Sequence, residues 1–230
     1  MSDLVGFGFV LPHWMYWGWL AFMPLIIMWA MKRKGISETV PLTPDEELAL
    51  QLLAESDPVI HDEGNRFTQV LDWMNEKSGV FVALWTVNAV VIYFYEVVMR
   101  YLFNMPTIWV HEASYLLFGM QYLLAGGFAM LHGSHVRVDI LYVKLPARGR
   151  VGMDIFTSVF FFIFALAMTG TALSFFANSF EMAETTVETW GIQYYPVKGM
   201  MLLGSFLLLL AGISKLIKDI RTFKKMGEAA

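Results

Sequence analysis

The chain has no cysteine and little charge: Asp, Glu, Lys and Arg make up 16% of its 230 residues, against roughly a quarter in ordinary soluble domains. Without cysteine there is no disulfide framework and no thiolate-ligated zinc or iron–sulfur centre. That absence does not fix a redox compartment. A net charge of −4 argues against a dedicated nucleic-acid binder, which needs a basic face. Motifs of soluble catalysis are missing as well. There is no G-x-x-x-x-G-K-[ST], no G-x-G-x-x-G in a strand–helix setting, no H-E-x-x-H and no G-x-S-x-G. What the chain has instead is apolar surface. Hydrophobic residues are 57% of it and aromatics 16%, which excludes a disordered protein.

Charge is absent from whole stretches: 4–31, 79–95, 113–131, 155–180 and 199–214. A membrane-spanning helix needs about 20 mostly apolar residues. These runs predict an all-α integral membrane protein with five transmembrane helices near 9–31, 79–101, 110–131, 152–177 and 195–217. The first run carries Asp3 before it and Lys32-Arg33-Lys34 after it, with no clear small-x-small cleavage site between. It reads as an uncleaved anchor rather than a secretion signal. Pro24 marks a possible kink in it.

Orientation follows from Lys and Arg near the spans. With the amino terminus outside and the carboxyl terminus inside, 14 of the 16 cations fall on the inner side. Arg100 and Lys198 remain outside. The outer loop near 178–195 is acidic, with Glu181, Glu184 and Glu188. Three segments result: an anchor over 1–34, an acidic cytoplasmic connector over 35–65, and a four-helix membrane domain over 66–225.

The stretch 32–77 contains 10 acidic and 5 basic residues. Thr43-Pro44-Asp45-Glu46-Glu47 has the form of a helix start, with a cap, a first-position proline and acids in the first turn. A second amphipathic helix fits 66–77, with Phe67, Val70, Leu71 and Met74 on one side. That side either lies on the membrane or a partner, or the helix simply enters the next span. In the loop after the third span, Val138, Leu141, Tyr142 and Leu145 recur at helical spacing. A short interfacial helix fits them; by spacing alone the segment is an ordinary basic inner loop.

Ionisable groups at membrane depth are costly and often functional. Glu96 and Arg100, spaced i,i+4, suit a structural ion pair at the outer boundary. Asn88 and Gln121 lie nearest mid-membrane and suit hydrogen bonds between helices. Gly126-Gly127, with Ala125-x-x-x-Ala129, suits close helix packing. No internal repeat points to a self-sufficient secondary transporter. An alternative is a haem-bearing anchor of a respiratory enzyme, ligated by His13 and His111 from two helices at one depth.

The run Arg100-Tyr101-Leu102-Phe103, then Glu112, Gly126-Gly127 and His132-Gly-Ser-His135-Val-Arg137-Val-Asp139, resembles the small permease (Q) subunit of TRAP transporters, the tripartite ATP-independent periplasmic transporters. Leu141-Tyr142, Pro146, Arg148, Arg150, Asp154 and the Tyr195-Pro196-Val-Lys198 entry to the last span continue the likeness, which covers about 66–220. The extra first helix and acidic connector depart from the four-helix family core. They are similar to the longer small subunits of the mannitol/chloroaromatic branch.

The resemblance implies a non-enzymatic subunit of the bacterial inner membrane, without a cofactor of its own. A large membrane subunit would carry the substrate and sodium sites and move an organic acid by an elevator motion. A periplasmic binding protein would deliver that acid, and this chain would hold the scaffold. His132, His135, Arg137, Asp139 and Tyr142 would then contact the large subunit or phospholipid headgroups. The outer loops near 102–111 and 178–195, with Glu112, Glu181, Glu184 and Glu188, would face the binding protein. Pro196 and Lys198 would open the last helix.

Overall fold

The computed structural model describes residues 10–35, 64–133 and 145–228. Within them lie five helices: α1 His13–Arg33, α2 Arg66–Tyr101, α3 Val110–Leu131, α4 Ala147–Glu181 and α5 Tyr195–Glu228. All five are long and apolar enough to cross a membrane. The chain is an all-α, multi-pass membrane protein. The expected helix from Thr43, with most of the acidic connector, and the interfacial helix around Val138–Tyr142 lie outside the described residues.

The spans are longer than their charge-free runs. α2 has 36 residues, so at 1.5 Å per residue it is ~54 Å long, well beyond the ~30 Å of hydrocarbon. Stretch 66–77 is therefore the entry to the second span and not a separate helix. Asn65 starts it, its N–H donating to Thr68 Oγ1 at 2.8 Å. Nothing at Lys77-Ser78-Gly79 breaks it, and the Ser78 hydroxyl returns to the Asn75 carbonyl of its own helix. Of the expected apolar side, Leu71 is buried, while Phe67, Val70 and Met74 are exposed.

α1 packs on α2, α2 on α3, α3 on α5 and α5 on α4, with α2 also reaching α5. Helices associate in lipid by close packing and hydrogen bonds rather than by water exclusion. Two glycines let a neighbouring helix come close. A Cβ on Gly204 of α5 would lie 2.5 Å from the Leu123 carbonyl oxygen of α3. One on Gly127 of α3 would run into Asn75 of α2. Gly126, the other half of the glycine pair, meets only Leu208 Cδ1, at 3.9 Å. Trp85, Leu116, Leu117 and Met120 fill the centre of the bundle, joined by Tyr16 and Leu20 of α1. α4 contributes small buried residues, Ala165, Ala172 and Ser179, and turns most of its large side chains outward.

Candidate functional site

The loops 102–109 and 182–194 lie at one end of the bundle, here the hairpin end. Lys and Arg collect at the other, the basic end. At the hairpin end α4 stops in a Schellman turn: Ala183 has φ 46°, and Glu184 N–H donates to the Ser179 carbonyl at 3.0 Å. The chain then folds back on itself. Thr186 N–H donates to the Ile192 carbonyl and Tyr194 N–H to the Glu184 carbonyl, both at 2.8 Å. Gly191, at φ 62°, makes the turn that sends Trp190 inward. The Trp190 indole N–H donates to the Leu11 carbonyl at 3.0 Å, and its ring packs edge-on against Tyr16 and His13.

Glu96 fastens the second loop. It accepts from Arg100 Nε at 2.9 Å, and from the Thr107 N–H at 3.1 Å and hydroxyl. One carboxylate thus joins the end of α2 to the approach to α3. Glu112 differs from the three other acids expected to face a partner. It is 2% exposed, hydrogen-bonded to the Thr186 hydroxyl, and covered by the hairpin. It braces the loop from beneath, so a direct contact with another protein is replaced by an internal one. Glu184 pairs with Lys198, and that ammonium holds its carboxyl below the usual carboxylate range. Glu181 and Glu188 are exposed, as is Val187 at the hairpin tip. Pro196 sits in the first turn of α5, and Lys198 also lies 5.2 Å above the Tyr194 ring.

At the basic end of the bundle, α2, α4 and α5 are clamped by charge. Asp72 accepts from Lys218 Nζ at 2.5 Å and from Ser214 Oγ at 2.6 Å. Lys215 reaches Asp219 at 2.9 Å and Asp154 at 3.9 Å. A cavity of about 280 Å³ lies here, lined by Asp72, His132, Ser214, Lys215, Lys218 and Asp219. Both lysines are already paired, so the cavity offers no bare charge to a ligand. The sequence reading missed this clamp, although the i,i+4 spacing of Lys215 and Asp219 signalled its local half. His132 donates from Nδ1 to the Phe128 carbonyl at 3.1 Å, and its Nε2 lies 3.4 Å from Glu76. His135, Arg137, Asp139 and Tyr142 lie outside the described residues.

Two polar pairs occupy the middle of the bundle. Trp19 of α1 donates to Asn88 Oδ1 at 2.8 Å. Gln121 of α3 donates from Nε2 to Thr86 Oγ1 of α2, also at 2.8 Å. Both asparagine and glutamine join helices, as their positions suggested. The histidines of the haem reading are engaged separately: His13 Nε2 donates to the Trp190 carbonyl at 3.0 Å, and His111 packs on Tyr115. Among the described residues, no hydrogen bond or ring contact joins the two.

These features define a multi-pass helical membrane subunit whose ordered polar groups brace its own helices and loops. Residues 89–222 match the family model described as the DctQ component of the tripartite ATP-independent periplasmic transporters, and the chain belongs to that family. Its members are transporter subunits, not enzymes. The C4-dicarboxylate TRAP transporter small permease protein DctQ of Vibrio cholerae serotype O1 is 29% identical over 90 residues, which is 39% of this chain and 39% of that protein. The similarity thus spans well under half of the curated relative. α1 lies before both the family match and the start of α2.

Proposed function

We propose that this chain is the small permease subunit of a TRAP transporter, scaffolding a large membrane subunit that performs sodium-coupled uptake of an organic acid. A periplasmic binding protein delivers the acid to the hairpin end. The basic end faces the cytoplasm of a bacterial inner membrane, in keeping with the bias of Lys and Arg. The observation that carries this reading is the disposition of polarity. Several carboxylates and cations at both ends are engaged in bracing, as at Glu96, Asp72 and Glu184, while long faces of α1, α2 and α4 present large apolar side chains outward. A body built this way supports a partner better than it conducts a charged solute. The name of the Vibrio cholerae relative makes a four-carbon dicarboxylate the first substrate to test.

The test is co-expression with the large permease subunit, purification in mild detergent, and reconstitution with the binding protein. The expected result is a stable complex that accumulates the acid under an inward sodium gradient, and no uptake by the large subunit alone. A large subunit that purifies and transports equally well without this chain refutes the scaffold role. A Soret band on the purified chain would support the haem anchor instead.

A further inference from the structure

The first turns of α2 carry apolar side chains beyond the reach of the bilayer. Phe67, Val70 and Met74 fall on one side of the helix, at i, i+3 and i+7. All three are exposed, Phe67 and Val70 by more than half. The other side is built into the bundle. Thr68, Leu71 and Asn75 are buried, and Asp72 accepts from Ser214 and Lys218 of α5. This stretch is therefore fixed in place while its apolar side stays open.

Depth shows that lipid does not cover it. The hydrocarbon is ~30 Å thick, or about twenty residues of helix. Counted from Glu96 at the outer boundary, it ends near Glu76 and Lys77. Val70 then lies ~9 Å and Phe67 ~14 Å past that edge, outside a headgroup layer of ~5–7 Å. Apolar side chains held in water favour a partner that takes them out of it.

The acidic connector matches that side in position, length and charge. Residues 36–63 leave from the end of α1 and return to the start of α2, both at the basic end, and these two helices pack on each other. In a helix from Thr43 to Glu55, Leu48, Ala49, Leu52 and Leu53 gather on one side, with Glu47, Gln51 and Glu55 in a strip along its flank. Its 13 residues would be ~20 Å long, against ~18 Å for residues 66–77 of α2. Residues 56–65 remain to reverse the chain, and Gly64, at φ 82°, turns it into α2. Residues 36–63 hold eight acids and no Lys or Arg. On α2, Arg66 and Lys77 flank the Phe67–Val70–Met74 side.

We propose that residues 43–55 dock antiparallel on the Phe67–Val70–Met74 side of α2, apolar side against apolar side. In an antiparallel pair like flanks meet, which brings Glu55 beside Arg66 and Glu47 beside Lys77. The two helices form a hairpin that stands out of the membrane at the basic end. The docked connector also holds α1 at the end that its described hydrogen bonds, all from residues 11–20, leave open.

The experiment uses the full chain. A photoreactive benzoylphenylalanine is placed at Val70, and separately at Val87, which is exposed near mid-span, before irradiation in native membranes. The expected result is an adduct within one chain from position 70, mapped by mass spectrometry to residues 43–55, and none with that segment from position 87. In parallel, Val70→Asp should raise cleavage of the detergent-purified chain at Glu47 and Glu55 by a glutamate-specific protease about tenfold, because one buried side chain is lost and cleavage follows the undocked fraction. The intrinsic-fluorescence melt of the bundle should stay that of the parent. An adduct from position 70 with lipid, with another protein or with a second copy of the chain overturns the docking, as does no adduct at all. Unchanged cleavage of Val70→Asp overturns it too. Neither arm depends on transport, so failure here leaves the scaffold role standing.

Discussion

Replacing Gly204 with alanine tests the helix contact on which the described fold depends. The added Cβ would meet the Leu123 carbonyl oxygen at 2.5 Å, the Leu123 carbonyl carbon at 2.7 Å and the Leu124 nitrogen at 3.2 Å. Ordinary van der Waals contact begins at 3.4 Å, about 0.9 Å further out than the nearest of these. All three atoms are backbone, so no side-chain rotation relieves the overlap; α3 and α5 must part. Overpacking of this kind costs about 1–3 kcal/mol. Alanine returns at most about 1 kcal/mol of helix propensity. Gly170→Ala is the matched control, because a Cβ there has nothing within 4 Å and only propensity changes. The chain's 8 tryptophans report unfolding in detergent by intrinsic fluorescence. With roughly 2–4 °C per kcal/mol at this size, Gly204→Ala should melt several degrees below Gly170→Ala. Equal melting temperatures, or a Gly204→Ala variant more stable than the parent, would show that α3 and α5 do not meet as described.

Trp190→Ala removes a buried indole that touches α1 and the hairpin, and should cost about 3–5 kcal/mol. Limited proteolysis should then cut the 182–194 hairpin sooner; unchanged cleavage would mean that Trp190 does not hold it. Asp72→Asn and Lys218→Met should each destabilise the chain by about 1–3 kcal/mol, and together by clearly less than their sum, since they share one bond. Additive losses in a double-mutant cycle would rule out the clamp. Because Lys198 depresses the Glu184 carboxyl, the stability this pair gives is full above the ordinary carboxylate value of 4.5. It fades as pH falls through the lower folded value. A Lys198→Met variant should lose that acid-side dependence, and an identical pH profile would disprove the link.

Local features of the fold were legible because they repeat within a helix. Charge-free runs marked all five spans, and i,i+4 spacing marked Glu96 with Arg100. Helix ends were harder. Residues 66–77 of α2 and the last turns of α5 carry charge, because they extend past the apolar window into water or headgroups, so hydropathy alone stopped short of them. Contacts between distant residues left no local signal. Asp72 meets Lys218 across 146 positions and His13 meets Trp190 across 177. Glu112 looked like a surface acid because nothing beside it in sequence shows that Thr186 and the hairpin cover it.

The position of α1 follows from where its bonds are made. Every hydrogen bond described between it and the rest of the bundle involves residues 11–20: Leu11 and His13 with Trp190, Tyr16 with the Ala113 carbonyl, Trp19 with Asn88, and the Leu20 carbonyl with Trp85. Beyond Pro24 none of its residues through Arg33 is buried. α1 is therefore secured at the hairpin end and through mid-membrane, and lies open towards the basic end. Tyr16 and Leu20 nevertheless belong to the main apolar core, and Asn88 Oδ1 takes its described bond from this helix. Removing α1 would strip the indole of Trp190 of its acceptor and leave Asn88 unpaired at mid-membrane, where an orphaned amide is expensive. Although it lies outside the family match, α1 is thus integral to this chain: the same residues that tie it to the bundle also hold the 182–194 hairpin in place.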